Sequence, residues 1–161
     1  APTLSITLAP NPKKRILIRF NNGAKGILWA SQIAVGQENG LNIRIFGELG
    51  SIAWRQENPN VLQVDWLEKP REIRTTASSF VGESSLANTR IPAGHPEGFL
   101  EAFANIYNNF ANELSDLISG KEVIGHKEYD YPKVQDGVRG IKFLEAVVKS
   151  SKNRNQWVQI S

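Results

Sequence analysis

The stretch from Pro92 to Gly120, PAGHPEGFLEAFANIYNNFANELSDLISG, constrains the fold more than any other part of the chain. Phe99, Phe103, Ile106, Tyr107, Phe110, Leu114, Leu117 and Ile118 draw one broad apolar stripe at helical spacing. Pro96 suits a first helical turn, where a missing N–H costs little, and Gly120 suits the left-handed position just past the end. Glu97 stands where the helix dipole favours a negative charge. Each large apolar side chain gains roughly 1.5 to 3 kcal/mol on burial, so the stripe predicts an extensive partner layer.

The residues before it read as that layer. Thr3 to Leu8 and Arg15 to Phe20 have strand character, and Asn21, Asn22 and Gly23 form a strong hairpin signal. Lys25 to Ala34 is then predicted to run back antiparallel, and after Lys25 it carries no charge on either face. Two readings stand: a strand covered by helices on one side and a second surface on the other, or a central strand in a well-covered sheet. Leu41 to Phe46, Ser51 to Arg55, Val61 to Leu67 and Arg71 to Thr75 continue as a meander with short connections. Thr76 to Arg90 has no sustained period and reads as a loop, and Lys121 to Tyr131 as an irregular crossover. Pro132 opens a second helix in which Gly137 and Gly140 suggest close backbone packing, and Gln156 to Ile160 closes as a strand. The expected fold is α+β: an open, mostly antiparallel sheet with two main helices on one face, as a single domain over residues 1–161.

Composition excludes several kinds of chemistry. The absence of cysteine removes thiolate metal sites, disulfides and a catalytic thiol, and fits a reducing cytoplasm. No apolar run suggests a membrane span or signal peptide. A net charge of +3 is spread thinly, its largest basic cluster being Lys13, Lys14 and Arg15, which reads as a solvated surface and not a nucleic-acid footprint. No glycine-rich phosphate cradle, H-E-x-x-H or G-x-S-x-G occurs. His95 and His126 are the only histidines and lie far apart, so no zinc site is expected.

Unusual residue types gather only at the entrance of the long helix. Arg90 offers a cation, His95 an imidazole and Glu97 a carboxylate, beside backbone N–H groups at a helix start. One reading is a contact to a small polar ligand. The other is a cap and turn, with His95 satisfied by a backbone carbonyl. Trp29, Trp54, Trp66 and Trp157 fall at strand spacing and read as core or interface.

The segments NGAKGILWASQIAVGQENGLNIRIFGELGSIAWRQE, RIPAGHPEGFLEAFANIYNNF, DGVRGIKFLEAVVKSS and WVQI, in that order, closely resemble the C-terminal half of the glucose-fructose oxidoreductase, inositol dehydrogenase and MocA (Gfo/Idh/MocA) family. The resemblance implies a two-domain oxidoreductase that uses NAD or NADP on a sugar, inositol or related polyol. It also implies that this chain is the domain shaping the substrate pocket and building a homo-oligomer through its sheet face. The Rossmann domain, the catalytic E-K-P lysine and the D-x-G-x-H histidine would lie ahead of Ala1, leaving this chain with no cofactor and no catalytic residue of its own. Glu68, Lys69 and Pro70 spell E-K-P, but they follow a meander strand and read as a polar turn. Neither histidine has the upstream aspartate of the family motif. Arg90, His95 and Glu97 are the substrate-side candidates, and Trp29, Ser31, Asn42 and Arg44 the interface candidates. The rival expectation is a stand-alone ligand-binding or protein-interaction module with no enzymatic parent.

Overall fold

The computed structural model describes residues 4–8, 15–120 and 129–160. The start of the first expected strand at Thr3, Lys13 and Lys14 of the basic cluster, and most of the crossover with His126 lie outside them. Two compact units form: residues 1–36 with 132–161, and residues 37–131.

In the first unit β1 (Leu4–Leu8), β2 (Arg15–Phe20), β3 (Lys25–Trp29) and β8 (Val158–Ile160) form an antiparallel sheet in the order β3-β2-β1-β8. The β2–β3 hairpin closes through Gly23 N–H on the Phe20 carbonyl at 2.9 Å, and the Asn22 side chain accepts the Ala24 N–H at 3.1 Å. Helix α3 (Val134–Lys152) packs on β1 and β8, burying Ala146 and Ser150. The Ser150 hydroxyl donates to the Gln156 carbonyl at 2.8 Å, fixing the chain as it turns from α3 towards β8. The Arg19 guanidinium lies 4.0 Å over the Trp157 ring.

In the second unit β4 (Asn42–Phe46), β5 (Gly50–Arg55), β6 (Val61–Trp66) and β7 (Glu72–Thr75) form a second antiparallel sheet in sequential order. Val64 is buried at its centre, and the half-buried indoles of Trp54 and Trp66 donate to the Pro59 carbonyl and the Glu72 carboxylate. The loop after β7 contains a short helix, α1 (Glu83–Ala87), and leads to α2 (Phe99–Ile118). Glu68, Lys69 and Pro70 form the bend between β6 and β7.

The open antiparallel α+β architecture is the one the periodicities predict, and the expected meander is divided between two four-stranded sheets. The third strand ends at Trp29 and not at Ala34. Its ladder partner β2 begins at Arg15, opposite Trp29, so later residues have no hydrogen bonds to continue it. β3 is therefore an edge strand, and the central-strand reading fails. Among the described residues nothing outside the local helix backbone comes within 4 Å of a Cβ placed at Gly137 or Gly140, so no close approach is seen there.

Helix α2 begins later than the proline suggests. Gly98 is its N-cap, and the Gly98 N–H donates to the Glu101 carboxylate at 2.9 Å. Glu101, not Glu97, is the acidic group of the first turn. Gly120, at φ +61, takes the left-handed position past the end. Among the described residues much of the apolar stripe is exposed, Phe99 at 61% and Tyr107 at 69%. The side that is covered meets Tyr129, whose hydroxyl donates to Asp116, and Tyr131, whose ring stands edge-on to Phe110 at 5.5 Å. The bond to Asp116 raises the Tyr129 pKa.

The caps carry a pH dependence. The Gly98 N–H holds the Glu101 carboxyl below its ordinary value, and the Lys133 N–H, followed by Arg139, does the same for Asp136 at the start of α3. A carboxylate whose pKa is lower when folded adds stability that is present above the unfolded pKa and is lost as pH falls through the folded one. Thermal midpoints are expected to fall below about pH 4, with a flatter acid limb in a Glu101→Gln, Asp136→Asn double variant. Identical limbs would refute the assignment.

Two glycines give an opposed pair of expectations. A Cβ at Gly50 would stand 2.5 Å from the Asp65 carbonyl, so Gly50→Ala is expected to cost about 1–3 kcal/mol. Gly137→Ala, inside α3 with no described atom beyond the local helix backbone within 4 Å of the added Cβ, is expected to stabilise by about 0.5–1 kcal/mol. Chemical denaturation of both variants checks the signs.

Candidate functional site

Arg90, His95 and Glu97 come together in the second unit, on the loop that leads into α2, and the loop is closed at its base. The Arg90 N–H donates to the Glu97 carboxylate at 2.6 Å. The Arg90 guanidinium donates to the Asn105 side-chain oxygen, from Nε at 2.7 Å and also from Nη2. Asn105 is the one buried residue of α2, and its amide nitrogen donates to the Asn88 carbonyl at 2.8 Å. A carboxamide can accept and donate at once, and Asn105 uses both ends to hold the loop on the helix.

A second asparagine ties the same loop to the sheet. Asn60, at the turn before β6, donates from Nδ2 to the Glu97 carbonyl at 2.7 Å and accepts the Glu97 N–H on Oδ1 at 3.3 Å. Its side chain thus meets the Glu97 backbone as a neighbouring strand would. Thr76 adds its hydroxyl on Asn60 Oδ1 at 3.0 Å and its N–H on the Asn60 carbonyl at 3.2 Å. The adjacent Pro59 carbonyl takes the Trp54 indole N–H, so the chain of contacts runs from the sheet interior to the start of α2.

Between these anchors Pro92 to His95 makes a tight turn. The His95 N–H donates to the Pro92 carbonyl at 3.3 Å, with Gly94 at φ +85 in the third position, where a type II turn requires a positive φ. The His95 ring Nδ1 lies 3.1 Å from the same carbonyl. The backbone-carbonyl contact is thus present, and His95 remains exposed. Arg90 and Glu97 spend the polar atoms just named inside the loop. Of the three candidates, His95 has the side chain whose far end meets no partner among the described residues.

The interface candidates do not share one sheet. Trp29 ends β3 and is 53% exposed, and Ser31 follows that strand, its hydroxyl accepting the Ile33 N–H at 3.3 Å. Asn42 and Arg44 lie on one face of β4, an edge strand of the second sheet, which is exposed along its whole length. An open hollow of about 450 Å³ lies beside β7, lined by Glu72, Ile73, Arg74 and Phe80. Its charges are spent on each other, Arg74 Nη2 standing 2.8 Å from Glu72. Among the described residues no group of three metal-binding side chains occurs, and no helix is long and apolar enough to cross a membrane.

Sequence reasoning missed Asn60 and Asn105. Asn60 was legible only as a turn residue and Asn105 only as a polar residue within a helical pattern, because their partners lie 37 and 15 residues away. Asn60→Asp keeps the shape but replaces the donor facing the Glu97 carbonyl with an acceptor. It is expected to lower unfolding free energy by about 1–3 kcal/mol. Urea denaturation showing no loss would contradict the clamp.

Comparison with known proteins places the chain. The family described as the oxidoreductase family, C-terminal alpha/beta domain, matches residues 12–160. An uncharacterized oxidoreductase, YfiI, of Bacillus subtilis (strain 168) is 33% identical over 144 residues, covering 89% of this chain and 36% of that protein. The structure of an oxidoreductase from Sinorhizobium meliloti superposes with a TM-score of 0.83 at 34% identity, over 97% of this chain and 45% of the other. That of an inositol dehydrogenase homolog from Azotobacter vinelandii, complexed with NADH and myo-inositol, gives 0.86 at 28% identity, over 98% of this chain and 43% of the other. The chain thus spans less than half the length of each of these relatives. The antiparallel α+β fold and the family match over nearly the whole sequence lead to one conclusion: the chain belongs to the C-terminal domain family of the Gfo/Idh/MocA oxidoreductases.

Proposed function

We propose that this chain is the C-terminal domain of an NAD(P)-dependent oxidoreductase acting on a sugar, inositol or related polyol. In this reading it gives shape to the substrate pocket and surface to a homo-oligomer. The observation that carries the proposal is the likeness to the A. vinelandii homolog, whose structure holds NADH and myo-inositol. No glycine-rich pyrophosphate loop of the Rossmann kind occurs in this sequence. The nucleotide and the hydride chemistry are assigned to a Rossmann domain that this domain would serve.

The loop from Arg90 to Glu97 is the element proposed to face substrate, since it combines polar groups with a fixed backbone. The edge strands are proposed to meet a second copy. Ile27 and Trp29 on β3, and Ile43, Ile45 and Phe46 on β4, are each half-exposed or more, a state that edge strands of a lone chain normally avoid. Trp29, Ser31, Asn42 and Arg44 would lie in or beside that contact.

The test joins the two halves. The complete polypeptide, carrying this chain and a nucleotide-binding domain, is expected to reduce NAD or NADP with at least one of a panel of inositols and sugars, and the 161-residue chain alone with none. Turnover by the isolated chain, or none by the complete protein with any polyol, would overturn the reading. Sedimentation velocity is expected to show an oligomer that Trp29→Ala and Arg44→Glu weaken.

A further inference from the structure

We propose that His95 presents a bare ring nitrogen, Nε2, as a hydrogen-bond acceptor for a hydroxyl of the polyol substrate, its tautomer set by the Pro92 carbonyl. This rests on the functional reading above and adds the atom and the direction of the bond. A carbonyl oxygen can only accept, so the 3.1 Å contact with Nδ1 requires the proton on Nδ1. A neutral imidazole carries one ring proton, and Nε2 is then left with its lone pair.

The turn enforces this choice. The Pro92 carbonyl takes both the His95 backbone N–H and the ring, so the geometry that closes the turn also brings Nδ1 to the oxygen. Gly94 at φ +85 permits that turn, and the Asn60 and Asn105 clamps fix the chain on either side of it. His95 is exposed, and Nε2 meets no partner among the described residues. Hydroxyl groups donate readily, so an oriented acceptor on a fixed loop suits a polyol better than an anion.

Two measurements test the proposal. Nitrogen NMR of the ¹⁵N-histidine-labelled protein, well above the ordinary imidazole pKa, is expected to show the Nδ1–H tautomer dominant at the resonance lost in His95→Gln. Dominance of the Nε2–H form, which free imidazole side chains prefer, would overturn the proposal whatever the enzyme's activity. In the complete enzyme, with myo-inositol or whichever panel polyol it turns over, His95→Ala is expected to raise KM roughly three- to tenfold. His95→Gln, which keeps an acceptor at a similar reach, is expected to recover most of the loss. Wild-type KM in both variants would overturn the contact while leaving the functional reading intact. Inactivity of the unsubstituted enzyme towards every polyol would overturn both.

Discussion

The two hydrogen bonds between the Asn60 carboxamide and the Glu97 backbone, at 2.7 and 3.3 Å, hold the loop that leads into α2. A loop of this length has no ladder of its own, and each unpaired backbone group it buries costs about 1–3 kcal/mol. Asn60 supplies the missing rung from the sheet, and Asn105 supplies a second anchor from the helix. With both ends fixed, the turn at Pro92 to His95 needs little more than a glycine that accepts φ +85. The polar network, and not apolar packing, therefore sets the position of the candidate site.

The distribution of apolar surface supports the same division of labour. Val64, Tyr129 and Ala146 are the buried apolar residues among those described, while much of the α2 stripe and the apolar side chains of edge strands β3 and β4 are exposed. Exposed apolar area of this kind is the observation on which the proposed contact with a second copy rests. A domain with the proposed roles would need a fixed polar loop at one place and apolar faces at others, and in this chain the loop from Arg90 to Glu97 and the exposed apolar side chains involve different residues.

The long helix, the hairpin at Asn21 to Gly23 and the strand pairs were legible because their signals are local: a period of 3.6, a period of two, or a turn dipeptide. The end of β3 at Trp29 was not, since it depends on where the partner strand stops and not on the uncharged run itself. Pro96 misled for a related reason: it suits a first turn, but the Gly98 N–H and the Glu101 carboxylate set the cap two residues later. At the candidate site, Arg90, His95 and Glu97 were singled out by residue type, and their hydrogen-bond partners were not legible. Only the coordinates distribute them between holding the loop and displaying a ring. The asparagines that organise them lie far away in sequence and carry no motif.

Native-state hydrogen exchange at the Arg90 and Glu97 amides tests the central claim most directly. If the Glu97 carboxylate and the Asn60 side chain hold these N–H groups as the geometry indicates, both should exchange only in concert with opening of β6, at its free energy. Exchange of either amide at the rate of an exposed loop, while β6 stays protected, would contradict the account.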